Sequence, residues 1–176
     1  MSVILKPAFF RREVLIIAEE LVGCYLCTEV NGLHMRFRII EVEAYDGFDD
    51  KASHASKGLT ERTAVMFGPP RHWYVYFIYG AHWMLNIVTG PKGYPAAILL
   101  RSAGHLRGPG RLTKFLGVNK ALNGRKAEPN EGFWIEKGTL MAGETIKKTP
   151  RIGVDYAGPK WSKRRYRFVL STSRPR

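Results

Sequence analysis

The chain has 176 residues and a mass of 20.0 kDa, with 45% hydrophobic residues, enough for one domain with a sizeable core. The 28 Lys and Arg against 15 Asp and Glu give a net charge of +13, a surplus that calls for a polyanionic partner. Nucleic acid fits better than a membrane surface, because no basic amphipathic helix is evident and no apolar run approaches the roughly 18 residues of a spanning helix.

The opening MSVILKPAFFRREVLI is apolar first and charged afterwards, the reverse of a secretory signal, and points to an intracellular protein (cytoplasm or nucleoid in a bacterium). Residues 7–22 read as one helix with Val14, Ile17, Ala18 and Leu21 on a single face and Gly23 as its stop. Two strands follow, 24–30 and 33–45, joined by Asn31-Gly32, a strong hairpin signal. Cys24 and Cys27 lie on the first of them as C-x-x-C. No second pair completes a zinc site, and the spacing reads as structural burial.

On the second strand, period two puts Met35, Phe37, Ile39, Glu41, Glu43 and Tyr45 on one face. Two carboxylates thus continue a face that begins apolar. Such a carboxylate either works as a general base or pairs with Lys or Arg on a solvated edge. A long loop, 46–71, holds DGFDD, Ser53-His54-Ala55 and Gly68-Pro69-Pro70. His54 is a base, a ligand or an ordinary loop residue. The five histidines lack zinc spacing and the acids lack a calcium-loop pattern, so no metal is expected.

Residues 73–79 and 83–89 read as a second hairpin turning near Gly80-Ala81. Tyr74 and Tyr76 share one face; Tyr79 stands in the other parity at the tip, where an exposed aromatic can wedge between base steps. Asn86 interrupts apolar neighbours, either to satisfy backbone groups or to line the same pocket as Tyr76. Residues 95–100 read as a buried strand ended by Arg101, which is a surface cap, a partner of Glu43 or a phosphate contact. Gly108-Pro109-Gly110-Arg111 opens a short helix through Phe115. Residues 119–150 read as loop-rich, with one strand at 132–136. From Arg151 the chain turns basic: Arg151, Lys160, Lys163, Arg164, Arg165, Arg167, Arg174 and Arg176, interleaved with Trp161, Tyr166 and Phe168, read as a phosphate-contacting surface.

EVEAY (41–45), ASHA (52–55), AVMFGPP (64–70), YVYFIYG (74–80), Leu85-Asn86, ILLR (98–101), GPGRL (108–112) and RIGV (151–154) follow the order found in the alkyladenine, or 3-methyladenine, DNA glycosylases. Each motif is weak alone. In series they make the whole chain resemble that family.

The resemblance implies a single α+β domain, with a curved, mainly antiparallel sheet, surrounding helices and a hairpin that enters the DNA minor groove. It implies excision of alkylated or deaminated purines from duplex DNA without cofactor or lyase step. Glu43 would activate water, with Arg101 and the Ile152 carbonyl holding it. Tyr45, His54 and Tyr76 would wall the base pocket, Asn86 would screen exocyclic groups, and Tyr79 would fill the gap left by the flipped nucleotide. Arg111, Lys160, Lys163, Arg164 and Arg165 would contact the backbone. A monomer is the default for a protein that tracks along DNA. Thr63 stands where the family often has Asn, and Arg71 where Gly is common; Arg71-His72 bears on the approach to the hairpin and on substrate range. The competing class is a non-catalytic nucleic-acid-binding module; a metal-dependent nuclease lacks a cluster of acidic ligands.

Overall fold

The first predicted helix is two. In the computed structural model, which describes residues 3–172, α1 spans Pro7–Phe10 and α2 spans Val14–Leu21, separated at 11–13. Glu13 is extended (ψ 136°), which breaks the helix and turns α2 onto the sheet. The predicted face survives the break: Val14, Ile17, Ala18 and Leu21 are all buried, roughly 1.5–3 kcal/mol for each of the larger side chains.

Among the described residues, eight strands form one antiparallel sheet: β1 Tyr25–Val30, β2 Leu33–Asp46, β3 Trp73–Ile78, β4 His82–Thr89, β5 Ala96–Ala103, β6 Phe133–Glu136, β7 Glu144–Thr149 and β8 Arg167–Thr172. Six run in the order β3-β4-β5-β2-β1-β6, and β8 joins β2 while pairing β7. The β1–β2 turn is the predicted one. Val30 pairs Leu33, and Asn31 and Gly32 both take positive φ, as a two-residue turn matching strand twist requires. β7 and β8 lie in stretches read as loop and as basic surface. β5 runs on through Arg101 to Ala103, so Arg101 lies within the strand instead of capping it.

β2 carries the main correction. Its pairing with β5 shifts register between Ile39 and Glu41 and again between Glu41 and Val42. The irregularity changes the parity of the strand. Phe37, Ile39, Val42 and Ala44 therefore share one core with Trp73, Val75, Leu85, Ile87, Ile98, Leu100 and Phe168, beneath α2 and α3 (Pro109–Phe115). Glu41 and Glu43 do not continue the face of Ile39. The bulge moves them to the opposite side, and a strict period of two would have driven both into the main core.

That opposite side has its own layer. Tyr74, Val88 and Ala97 are buried there with Ala55 and Met66, and Tyr76, Val65 and Phe67 pack against them. The register sets Tyr74 opposite Asn86, Asn86 opposite Leu99, and Leu99 opposite Glu43. One transverse row thus carries a tyrosine, an amide and a carboxylate. The long loop 46–71 folds over this layer through two short 3-10 turns, His54–Lys57 and Ala64–Phe67.

Candidate active site

Glu43 is fully buried, and three donors surround its carboxylate. The Ile152 amide donates to Oε1 at 2.8 Å, Arg101 Nη1 lies 3.4 Å from the same oxygen, and the Tyr45 hydroxyl donates to Oε2 at 3.0 Å. Four of the predicted residues thus meet at one point. Ile152 touches Glu43 through its N–H, whereas the expected role used its carbonyl. Burial first, and then the charge of Glu43, push the Tyr45 hydroxyl well above its ordinary pKa, so it stays a donor.

Arg101 also donates from Nε to Glu41 Oε1 at 3.0 Å, which Arg167 Nε reaches at 2.7 Å; Ser102 Oγ donates to Oε2 at 2.7 Å. Burial opposes the ionised form of Glu41. The Ser102 hydroxyl, Arg167 and Arg101 outweigh it and hold the carboxyl below its usual range. Both carboxylates pair with Arg101, and Glu41 pairs with Arg167 as well; Glu43 lies deeper, among donors aimed at its oxygens.

His54 and Tyr76 come together as predicted, their rings 4.6 Å apart edge to face. Tyr74, which had no assigned role, completes the group: its hydroxyl lies 3.1 Å from His54 Nδ1. Burial, followed by Arg62 and Lys57, lowers the His54 pKa to about 4, so the ring is neutral near pH 7. Burial raises Tyr74 to about 12. Arg62, also unassigned, lies over the Tyr76 ring at 5.0 Å. Asn86 is buried and donates from Nδ2 to the Tyr74 carbonyl at 3.0 Å, so the amide that lines this row also satisfies a backbone group.

At the hairpin tip Tyr79 is 86% exposed with φ 54°, a left-handed conformation that costs a bulky residue about 1–2 kcal/mol. Ile78 pairs His82 across the turn, which leaves Tyr79 outside both strands at the tip of the hairpin.

The basic segment splits. Lys160, Lys163, Arg164 and Arg165 are exposed, with Lys160 and Arg164 each 5.5 Å from the Trp161 ring, and Arg111 is exposed on α3. Arg151 and Arg167 are not part of that surface. Arg151 is buried against Asp50 and the Ala44 carbonyl, and Arg167 is paired with Glu41. Arg174 and Arg176 lie outside the described residues.

The two departures are held locally. The Thr63 hydroxyl donates to the Gly58 carbonyl at 3.0 Å and closes the turn 58–63. Arg71 has φ 65°, which explains why glycine suits the position, and its Nε donates to the Ala127 carbonyl at 3.1 Å.

Two surface depressions, about 410 and 660 Å³, are lined around Arg11 and Tyr94 and around Phe9 and Leu140. Neither touches Glu43, and convergent donors are the better guide to chemistry than surface concavity. Among the described residues, Cys27, His34 and Glu136 bring donor atoms within 4.8 Å of one another on three adjacent strands, a grouping that linear spacing does not reveal. Trp134 Nε1 (3.0 Å) and Arg36 Nε (2.8 Å) already approach that carboxylate. Cys24 and Cys27 are free and buried, with burial raising the Cys27 thiol to about 12.

The profile of the family described as Methylpurine-DNA glycosylase (MPG) matches residues 8–107 and 102–174. A protein of Anaeromyxobacter dehalogenans (strain 2CP-C) is 40% identical over 96% of this chain and 84% of its own length. One from Myxococcus xanthus (strain DK1622) is 41% identical over 96% and 91%, and one from Legionella pneumophila (strain Paris) 40% over 97% and 95%. Each of these relatives carries the name 3-methyladenine DNA glycosylase as an inferred assignment.

Proposed function

The chain belongs to the methylpurine-DNA glycosylase family, and from that premise we infer that it flips alkylated or deaminated purines, of the 3-methyladenine, hypoxanthine and ethenoadenine class, out of duplex DNA and hydrolyses their N-glycosidic bond. The observation that carries this reading is the buried Glu43 carboxylate, held by Ile152, Arg101 and Tyr45 beside the aromatic group of His54, Tyr74 and Tyr76.

In the proposed reaction water attacks C1′ while the bond to the base breaks, and Glu43 takes the proton from that water. Both Glu43 oxygens already receive donors, which fixes the carboxylate plane while leaving lone pairs for the water. Arg101 lies beside Oε1 and can orient it. An N-alkylated purine carries positive charge and leaves readily. Electron-rich Tyr45 and Tyr76 favour it by cation–π attraction, and a neutral His54 does not repel it. When Tyr74 donates to Nδ1, the imidazole proton sits on Nε2 and becomes a donor toward the base. Asn86, fixed by its bond to Tyr74, would exclude bulky exocyclic groups.

Extrusion leaves a gap in the duplex for Tyr79 to fill, and the cost is lowest at damaged or mispaired bases, which adds selectivity. A lyase step needs an amine nucleophile, and the motifs shared with the family point to none, so the enzyme would be monofunctional. The exposed Lys160, Lys163, Arg164, Arg165 and Arg111 would hold phosphates, with the protein acting as a monomer.

The test is incubation of the wild type and Glu43→Gln with duplexes carrying one hypoxanthine, ethenoadenine or 3-methyladenine, with abasic sites as readout. Release by the wild type and its loss in the variant support the reading. Wild type that releases none of the three leaves the binding-module alternative. A fully active variant removes Glu43 from the chemistry.

A further inference from the structure

Arg151 stands shortly before the exposed Lys160, Lys163, Arg164 and Arg165, yet its side chain and that of Asp50 are both fully buried. The guanidinium bridges three parts of the chain. Nη1 reaches Asp50 Oδ2 and donates to the Ala44 carbonyl at 2.8 Å; Nη2 donates to Asp50 Oδ1 at 2.8 Å and to the Trp161 carbonyl at 3.4 Å. Asp50 in turn accepts the amides of Asp46 at 3.0 Å and Ala52 at 3.1 Å. One bidentate pair therefore ties β2, the start of the loop that carries His54, and the segment leading to α4 (Gly158–Ser162).

Both neutral donors on Glu43 adjoin this arginine. Ile152, whose amide holds Oε1, is its chain neighbour, and the Tyr45 ring, whose hydroxyl holds Oε2, lies 4.8 Å under its guanidinium. Ala44, whose carbonyl it grips, immediately follows Glu43. We propose that Asp50 and Arg151 are positioning residues that fix the orientation of the Glu43 carboxylate by holding Ile152 and Tyr45 on it. Neither touches the reacting atoms. The proposal rests on Glu43 acting as the base. A planar, five-donor guanidinium suits the task because an ammonium cannot span Asp50, Ala44 and Trp161 together.

The experiment has an arm that needs no activity. Amide hydrogen exchange at Ile152, read by NMR, reports its bond to Glu43 directly. Asp50→Asn and Arg151→Lys are compared with the neutral double variant Asp50→Asn/Arg151→Gln, which leaves no buried charge unpaired and so guards against loss of folding. Each variant that folds should lose protection at Ile152 while keeping it in β4 and β5. Its single-turnover rate on hypoxanthine duplex should fall about 100-fold, the scale of a misplacement of about 1 Å, with lesion-DNA affinity within about threefold of wild type. Arg151→Lys should not rescue the rate. Retained Ile152 protection, or a rate loss matched by lost affinity, overturns the proposal. If the wild type releases no base, the glycosylase reading fails, and the exchange at Ile152 still decides whether the pair holds Glu43.

Discussion

The Ile152 amide donates to Glu43 Oε1 at 2.8 Å across 109 residues of chain. The candidate site is thus completed by the C-terminal third of the protein, and the carboxylate is held from both oxygens. Glu43→Gln keeps the shape but replaces one acceptor oxygen with a donating amide facing Ile152 N–H or Tyr45 OH. Base release under single turnover should fall by about 10²–10⁴-fold, the range of general acid–base catalysis. Lesion-DNA binding should persist. Equal losses of binding and rate would mean that Glu43 serves recognition.

Much of this was legible in the sequence. Asn31-Gly32 announced a hairpin, the apolar spacing of Val14, Ile17, Ala18 and Leu21 gave the face of α2, and the alternation of Tyr74 and Tyr76 put both rings in one layer. The side of the sheet that receives Glu43 was not legible, because a bulge is set by pairing with β5 and leaves no mark in β2 itself. The Asp50–Arg151 pair was hidden for a related reason. Its members are 101 residues apart, and Arg151 begins a run of cations whose other described members are exposed or paired elsewhere.

Tyr79 offers a prediction in which stability and activity move apart. Its ring is exposed and its φ of 54° suits glycine, so Tyr79→Gly loses little packing and relieves left-handed strain. The variant should be as stable as wild type or more stable, by up to about 1 kcal/mol in chemical denaturation. Tyr79→Ala and Tyr79→Gly should both lose base release from duplex far more than from single-stranded DNA, where no gap needs filling. Equal losses on the two substrates would argue against a wedge.

His54 makes stability depend on pH with a definite sign. Its folded pKa, about 4, lies below the ordinary 6.5, so the unfolded chain binds the proton more readily. The stability is fully present above pH 6.5 and is lost as pH falls toward 4. Partial exposure tempers the size to on the order of 2 kcal/mol. Urea midpoints of wild type and His54→Gln should therefore converge or cross as pH drops from 7 to 4.5. A difference independent of pH would show that His54 is not held neutral by the fold.

Salt dependence tests the basic surface residue by residue. Removing a cation that neutralises one phosphate should reduce the slope of log affinity against log salt by about 0.9 on duplex DNA. Lys163→Gln and Arg165→Gln are exposed changes and should each lower that slope by about one while leaving the single-turnover rate at saturating protein unchanged. Arg151→Gln should behave oppositely, since its guanidinium is buried on Asp50: the rate falls and the slope stays. Fluorescence anisotropy on an undamaged duplex from about 50 to 200 mM salt reads the slope. A slope change for Arg151→Gln matching that of Lys163→Gln would put Arg151 back among the phosphate-binding residues and undo the division of the basic segment into a DNA-facing part and a site-building part.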